Sequence, residues 1–352
     1  MPALRSGLSG LWLHLRLAAV AYGVLLISLL LTGLAWYYVR HTVEVENRVR
    51  FDETVQATQA AVDRRTDAYL DSMFGARGLF LASRSVEPEE WERYVEGIGT
   101  ESRLSGLQAL GFAEHVESGE REDYVKEARR DGLPGLQPDL DPGGERDAYF
   151  PLALMAPANA ANRSVLNQDE YTDPAHRAAM DRAWETGSPQ ATEMDYVLTG
   201  LTPGSGADLS LRPGFAVYLP VYGEGGRRDL EGFVVGYFRR DGLLDDVFGS
   251  GFDPAIDFEV YDGEEVSASS LLHDDDGVRR AEDTGYEALF SERSRLGVAG
   301  REWSLYFATL PKFEEEAHSN LPAFVLASGI GVSLLLFGIS FMIVRSRVLA
   351  ER

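Results

Sequence analysis

The stretch ALGFAEHV, Ala109–Val116, decides how the chain is read. It lies in a long hydrophilic region, yet it has the apolar content of a strand, an aromatic inside it and a histidine near its end. The polar region therefore has a sheet at its heart. Working outward, EPEEWERYVEGI opens on Pro88 with acids in its first turn, and GEREDYVKEARRDG closes on Arg129, Arg130 and Gly132, the start and stop signals of two helices. DAYFPLALMAP is a second apolar strand, and DPAHRAAMDRAWETG is a helix with Pro174 near its first turn. ATEMDYVL, PGFAVYLPVY, LEGFVVGYF, AIDFEVYDG and REWSLYFATL read as further strands, and DGLLDDVFGS reads as a short helix. Short helices over an antiparallel sheet of about five strands, used twice, make an α+β plan.

Two segments set the address. Leu17–Val39 and Leu321–Val344 each hold more than 20 residues without a charge. At about 1.5 Å per residue each spans a hydrocarbon core of roughly 30 Å as a transmembrane helix. Trp36, Tyr37 and Tyr38 close the first as an interfacial belt; Arg5 and Arg16 precede it, and Arg345 and Arg347 follow the second. Both termini are thus expected in the cytoplasm, with residues 40–320 periplasmic or extracellular and the chain in the cell inner membrane. The first run is too long for a cleaved signal and lacks a small-residue cleavage pattern.

The formal net charge of the 352 residues is −23, and residues 40–320 carry 28 basic against 55 acidic side chains, a net of −27. So acidic an exterior excludes a broad basic surface for nucleic acid. There is no cysteine, hence no disulfide, no thiolate nucleophile and no cysteine-rich metal site. No glycine-rich phosphate loop, GxSxG or HExxH is present, and no two of the six histidines lie within four residues of each other. His115 and His176 read as satisfied edge or surface histidines, and HDDDG, 273–277, lacks the alternating spacing of a calcium loop and reads as an exposed turn. NRS at Asn162–Ser164 is a glycosylation triplet only in a eukaryotic secretory setting. No catalytic constellation, cofactor or metal is expected.

After the first span, His41–Ser83 contains no proline, and Val55, Val62, Tyr69 and Ala76 recur every seven residues. This is a long stalk helix continuous with the membrane helix. The stripe suits a homodimer seam, although a stalk packed on its own domain presents the same face.

The order GLQALGFAEHV, ERDAYFPLALMAP, NRSVLNQDEYTDPAHRAAMDRAWETG, GFAVYLPVY and LEGFVVGYFR resembles the CHASE family of extracytoplasmic sensory domains, found between two transmembrane helices of bacterial and plant receptors. In such receptors the domain precedes a histidine kinase, a nucleotide cyclase or a diguanylate cyclase module. The resemblance implies a stalk helix followed by two PAS-like sheets, the one farther from the membrane holding a small organic ligand. The implied layout has tails at 1–16 and 345–352, spans at 17–39 and 321–344, the stalk at 40–83, a membrane-distal ligand-binding subdomain at 84–222 and a membrane-proximal one at 223–320. In the plant cytokinin receptors of the family an aspartate just before the Y.P strand bonds the purine, which maps to Asp147. The loop resembling LGxD appears as LNQD, keeping Leu166 and Asp169 but placing Asn167 where glycine is usual, a departure expected to reshape the loop.

The residues themselves supply a pocket of apolar and aromatic walls with a few polar groups. Phe112, Tyr149, Phe150, Leu152, Leu154, Phe215, Val217, Tyr218 and Leu219 are wall candidates, although the same alternation builds an ordinary core. Asp147, Asp169, Thr192 and Asp195 are the polar candidates, with Asp147 alternatively a cap or turn residue and Asp169 a tie for the loop before the Pro174 helix. The ligand set expected is Asp147, Tyr149, Phe150, Leu154, Leu166, Asp169, Thr192, Phe215 and Tyr218. The expected function is small-molecule sensing and transmembrane signalling, with a heteroaromatic compound as one ligand class. The output module is covalent in a longer receptor or a separate partner. The other reading is a membrane-anchored scaffold or protein-interaction domain, and an extracytoplasmic enzyme ranks third.

Overall fold

The computed structural model describes residues 3–99, 104–131, 146–197, 212–240, 242–244, 255–274, 277–282, 285–317 and 319–350. Of the helix expected at 241–250 only residues 242–244 are described, in a turn, and the rest of it, the acids Asp275 and Asp276 and the histidine His318 lie outside the described residues. Two compact units result, one of residues 1–53 with 310–352 and one of residues 54–309.

In the first unit, the membrane-spanning parts of helices α1 (Ala3–Ala82) and α7 (Leu321–Ala350) pack side by side. Leu26, Leu30, Phe324 and Leu335 are exposed along their outer faces, as lipid contact demands, while Thr32 and Ser333 are buried. The pair approaches closely where Thr32 faces Gly329, since any Cβ on Gly329 would overlap the threonine side chain. Small residues permit that approach. Thr32 and Ser333 return their hydroxyls to the carbonyls of Ser28 and Gly329, at 2.9 and 2.7 Å, so neither faces lipid unsatisfied.

The second unit is α+β. Helix α2 (Pro88–Ile98) has its proline in the first turn and ends at Gly99 in the left-handed conformation, φ 69°. Strands β1 (Leu107–Glu114), β4 (Leu152–Ala156), β5 (Gln190–Ala191), β6 (Asp195–Val197), β7 (Arg212–Tyr222) and β8 (Leu230–Arg239) form an antiparallel sheet in the order β4-β1-β8-β7-β5, with β6 also paired to β7. Between them lie helices α3 (Arg121–Asp131), α4 (Ala160–Ser164) and α5 (Pro174–Thr186), and a small ribbon of β2 (Val116–Glu117) with β3 (Ala148–Tyr149). DAYFPLALMAP is therefore two strands, because Pro151 lacks the N–H a continuous ladder needs. Strands β9 (Ile256–Asp262), β10 (Leu271–Asp274), β11 (Ser291–Val298) and β12 (Arg301–Thr309) make a second antiparallel sheet, β10-β9-β12-β11. Short helix α6 (Pro311–Ala317) follows it in the chain. The boundary expected at 222/223 falls inside the β7–β8 hairpin, whose register runs from Gly214↔Arg239 to Tyr222↔Leu230, so the first sheet extends to Arg239.

The two faces of the first sheet do different work. Ala216, Tyr218, Phe233, Val235 and Tyr237 pack with Ala179, Met180 and Ala183 of α5. On the other face the ring of Phe238 meets Tyr69 at 5.2 Å, and that of Phe112 stacks on Phe80 at 4.0 Å. The Tyr69 hydroxyl donates to the Leu243 carbonyl at 3.0 Å and accepts from Gly106 N–H at 3.2 Å. Gly106 has to be glycine, because a Cβ would collide with that hydroxyl and the backbone of Leu243. Val55, Val62, Tyr69 and Ala76 are thus buried within the chain itself, the own-domain packing expected as the alternative to a homodimer seam on that stripe.

The second sheet buries two carboxylates, Asp257 and Glu259. Arg280 donates to Asp257 at 2.7 Å, and the backbone N–H of Ala281 donates to Glu259 at 3.1 Å, which offsets their desolvation. The sheets meet where Phe215 packs edge-on against Trp303, at 5.9 Å.

Candidate sensory site between helix α5 and the first sheet

Asp173 caps α5 by accepting from the N–H groups of Ala175 at 2.7 Å and His176 at 3.2 Å, while Pro174 occupies the first turn. That cap fixes His176 on the helix's first turn, facing the sheet. Glu170 sits on the 3₁₀ turn Glu170–Thr172 just before it. Its Oε2 lies 2.9 Å from His176 Nδ1 and accepts from the Tyr218 hydroxyl at 2.5 Å; the same hydroxyl is 2.8 Å from His176 Nδ1. The Tyr237 hydroxyl is buried beside them without a hydrogen-bond partner of its own among the described residues. Register pairs Ala216 with Tyr237 and Tyr218 with Val235, so both phenols rise from one face of the β7–β8 hairpin.

Burial alone would push the Glu170 carboxyl up, but the His176 hydrogen bond and charge and the phenols of Tyr218 and Tyr237 outweigh it and hold it below the usual range. For His176, burial pulls down and the Glu170 hydrogen bond and charge pull up more strongly, so its pKa is raised. Both shifts favour the charged forms, a carboxylate facing a protonated imidazole beneath two phenols. Burial, then the Glu170 charge, drive both phenols well above their ordinary value, so they remain hydrogen-bond donors. His176 keeps about a quarter of its side chain in contact with solvent, against a tenth for Glu170, so the site opens on the histidine's side. Beside it, Phe150 meets Tyr171, Phe233 and His115 at 5.1–5.4 Å. The arrangement sets hydrogen-bond donors and one carboxylate acceptor against aromatic walls.

The expected ligand residues divide. Tyr218 and Phe150 stand at this site, and Leu166 packs against the same core. Asp169 is buried as a structural tie: it pairs with Arg146 and accepts from the N–H of Phe150 at 2.8 Å and of Tyr171 at 3.1 Å. Tyr149 belongs to a separate buried cluster with Val116, its hydroxyl accepting from Arg146 N–H at 3.2 Å. Asp147 is exposed on the β2–β3 ribbon, where its carbonyl accepts from Ser118 N–H at 3.0 Å. Thr192 bridges strands, accepting from Ala216 N–H at 3.0 Å. Phe215, stacked on Phe238, and Leu154, paired with Phe112, lie on the stalk side of the sheet, away from Tyr218. Asn167 adopts φ 64° after all, the left-handed turn expected to need glycine, because asparagine tolerates that region. Asn162 is fully buried, donating to the Pro157 carbonyl at 2.8 Å, so the triplet offers no accessible amide.

Sequence reading missed Glu170 and Tyr237 and passed over His176. Its only available signals were the Asp173–Pro174 cap, which turns His176 inward, and the shared parity of Tyr218 and Tyr237 across a hairpin. His115 is as expected, its Nδ1 2.9 Å from the Leu230 carbonyl.

Comparisons with solved structures give distant likenesses. An extracellular ligand binding receptor from Desulfohalobium retbaense matches at 13% identity and TM-score 0.42, over 72% of this chain and 39% of that one. The periplasmic sensory domain of the Campylobacter jejuni chemoreceptor Tlp1 matches at 10% identity and TM-score 0.43, over 78% and 96%. The ligand binding domain of the Pseudomonas aeruginosa amino acid chemoreceptor PctB, solved with L-Arg, matches at 12% identity and TM-score 0.38, over 76% and 97%. No curated protein matches the sequence. The CHASE domain model matches residues 84–273, more than half of the chain. Set between two apolar helices long enough to cross a membrane, that match makes the chain a member of the CHASE domain family, a non-catalytic extracytoplasmic module for sensing and transmembrane signalling, anchored in the inner membrane.

Proposed function

We propose that the chain senses a small organic molecule at the Glu170–His176–Tyr218–Tyr237 site and passes its occupancy inward. One observation carries this reading: a half-buried Glu170–His176 pair, open to solvent on the histidine's side, stands beneath two buried phenols on the α5 side of the first sheet. A group of this kind is retained where it recognises something. The ligand presents a hydrogen-bonding group to His176 and the phenols and a flat apolar part to Phe150 and Tyr171, which a small heteroaromatic compound supplies. The two sheets act as two PAS-like subdomains, the first taking the ligand, with their division after Arg239. A cytoplasmic output module, covalent or separate, receives the signal. A homodimer would have to use residues other than the Val55–Val62–Tyr69 stripe.

Mass spectrometry of small molecules released from the purified, membrane-solubilised chain tests the reading, followed by calorimetry with the compound found. A charge-assisted hydrogen bond is worth about 1.5–3 kcal/mol, so Glu170→Gln and Tyr218→Phe should each weaken binding by roughly 10- to 100-fold. Asp147→Asn, on the exposed ribbon, should leave it unchanged. If Asp147→Asn alone abolishes binding, the ligand sits at the ribbon instead.

A further inference from the structure

The edge strand β5 is only two residues long, yet it touches both the sensory site and the second sheet. Three residues, Gly187, Ser188 and Pro189, join it to the end of α5, the helix that carries His176. Gly187 takes φ 72° and donates its N–H to Ala183, which fixes where the helix stops. On its inner side Gln190 pairs directly with Tyr218. Ligand contact at His176 or Tyr218 therefore bears on β5 from two directions.

The outer side of β5 is where an edge strand would leave an N–H for water. Here Ala191 N–H donates to the carbonyl of Ala299, at 2.7 Å, in the turn between β11 and β12. Ala299 and Gly300 have φ of 45° and 75°, the two left-handed residues of a tight hairpin turn. Alanine has no side-chain hydrogen bond to offset its cost there, so neighbouring contacts hold the conformation. Gly300 permits the approach, because any Cβ would overlap the carboxamide of Gln190. Just beyond, Asp262 of β9 accepts from the N–H of Met194 at 3.2 Å through one oxygen and from Arg301 Nε at 2.7 Å through the other, and Arg301 also reaches Glu193 at 3.8 Å.

We infer that this junction, the Ala299–Gly300 turn and the Asp262–Arg301 pair clasping residues 190–194, is the latch through which the sensory site biases the second sheet. The inference rests on the site proposed above. A shift of β5 cannot leave the latch unchanged, because the turn's carbonyl and the Asp262 carboxylate hold successive parts of one short segment. Strand β12 starts at the latch and leads along the chain to α6 and the second membrane helix. The latch thus joins the site to the strand nearest in sequence to the membrane.

Hydrogen exchange on the full chain in lipid nanodiscs tests this without any ligand. Coupling between sites commonly amounts to roughly 5- to 150-fold in an equilibrium constant. His176→Gln should accelerate amide exchange across Leu296–Leu305 by about 5-fold or more, and the same substitution on an Asp262→Ala background should add nothing there. Arg301→Gln is the second background, because it opens the pair while leaving Asp262 to accept from Met194, and its effect should fall between the two. Exchange over Leu296–Leu305 that ignores His176→Gln, or responds equally with the latch broken, overturns the inference. Failure of the sensory reading is separate: it is an absence of bound small molecule, which these ligand-free measurements neither need nor report.

Discussion

At the scale of single residues, the Glu170–His176 pair gives the molecule a defined pH response. The carboxyl titrates below its ordinary 4.5 and the imidazole above its ordinary 6.5. A lowered carboxyl stabilises above its unfolded value and loses that contribution as the pH falls through its folded value; a raised imidazole stabilises below its unfolded value and loses it as the pH rises through its folded value. The stability difference between wild type and His176→Gln should therefore be largest between about pH 4.5 and 6.5 and shrink on either side. Thermal unfolding of both proteins across that range checks it, and a difference that grows steadily above pH 8 would contradict the pairing. The same scale shows why the site was hard to read. A lone histidine and scattered tyrosines resemble ordinary core until pairing register sets Tyr218 and Tyr237 on one sheet face and the helix cap turns His176 toward it. Phe215 and Leu154 looked equivalent to Tyr218 because strand alternation gives two faces without saying which one a ligand meets.

Among the elements, those with strong periodicity or bounded apolar runs were legible: the membrane helices, the stalk and strands β1, β4, β7, β8, β9 and β12. Strands β10 and β11 were not: both lie at a sheet edge, β10 has only four residues, and SERSRLGV, Ser291–Val298, is polar through its first five, so no sustained apolar alternation marks either. The stalk was legible as a helix but not in its partner, because the same stripe serves a second stalk or the chain's own sheet. Val62→Asp separates the two. An unpaired buried charge costs roughly 3 to 5 kcal/mol, so the variant should lose about 10 °C in midpoint while light scattering reports an unchanged subunit number. Loss of mass with an unchanged midpoint would return the stripe to a subunit seam. In the membrane, the approach of Thr32 to Gly329 predicts that the double variant Thr32→Cys, Gly329→Cys, in a chain otherwise without cysteine, forms an intramolecular disulfide on mild oxidation. Gel mobility after cleavage in the extracytoplasmic region reads it, and two separable fragments would deny the crossing.

Across the whole molecule, the asymmetry of charge and the two apolar helices yield a topology that a reporter can check. Gly225 is exposed in the turn between β7 and β8, so an insertion there should leave the fold intact and be active only as a periplasmic reporter, whereas a fusion after Arg352 should be active only in the cytoplasm. The reverse pattern at either point breaks the two-span arrangement. Residue patterns revealed the order of parts at this scale, but not that the first sheet keeps β8 or that β5 touches both sheets, because both depend on long-range pairing that no local pattern encodes. The packing of Trp303 against Phe215 has a consequence of an optical kind. Its indole is buried where the two sheets touch, so its emission colour and quenching report local hydration at that junction. In a variant with the other four tryptophans replaced, a photon from this ring would be a direct gauge of whether the sheets have parted.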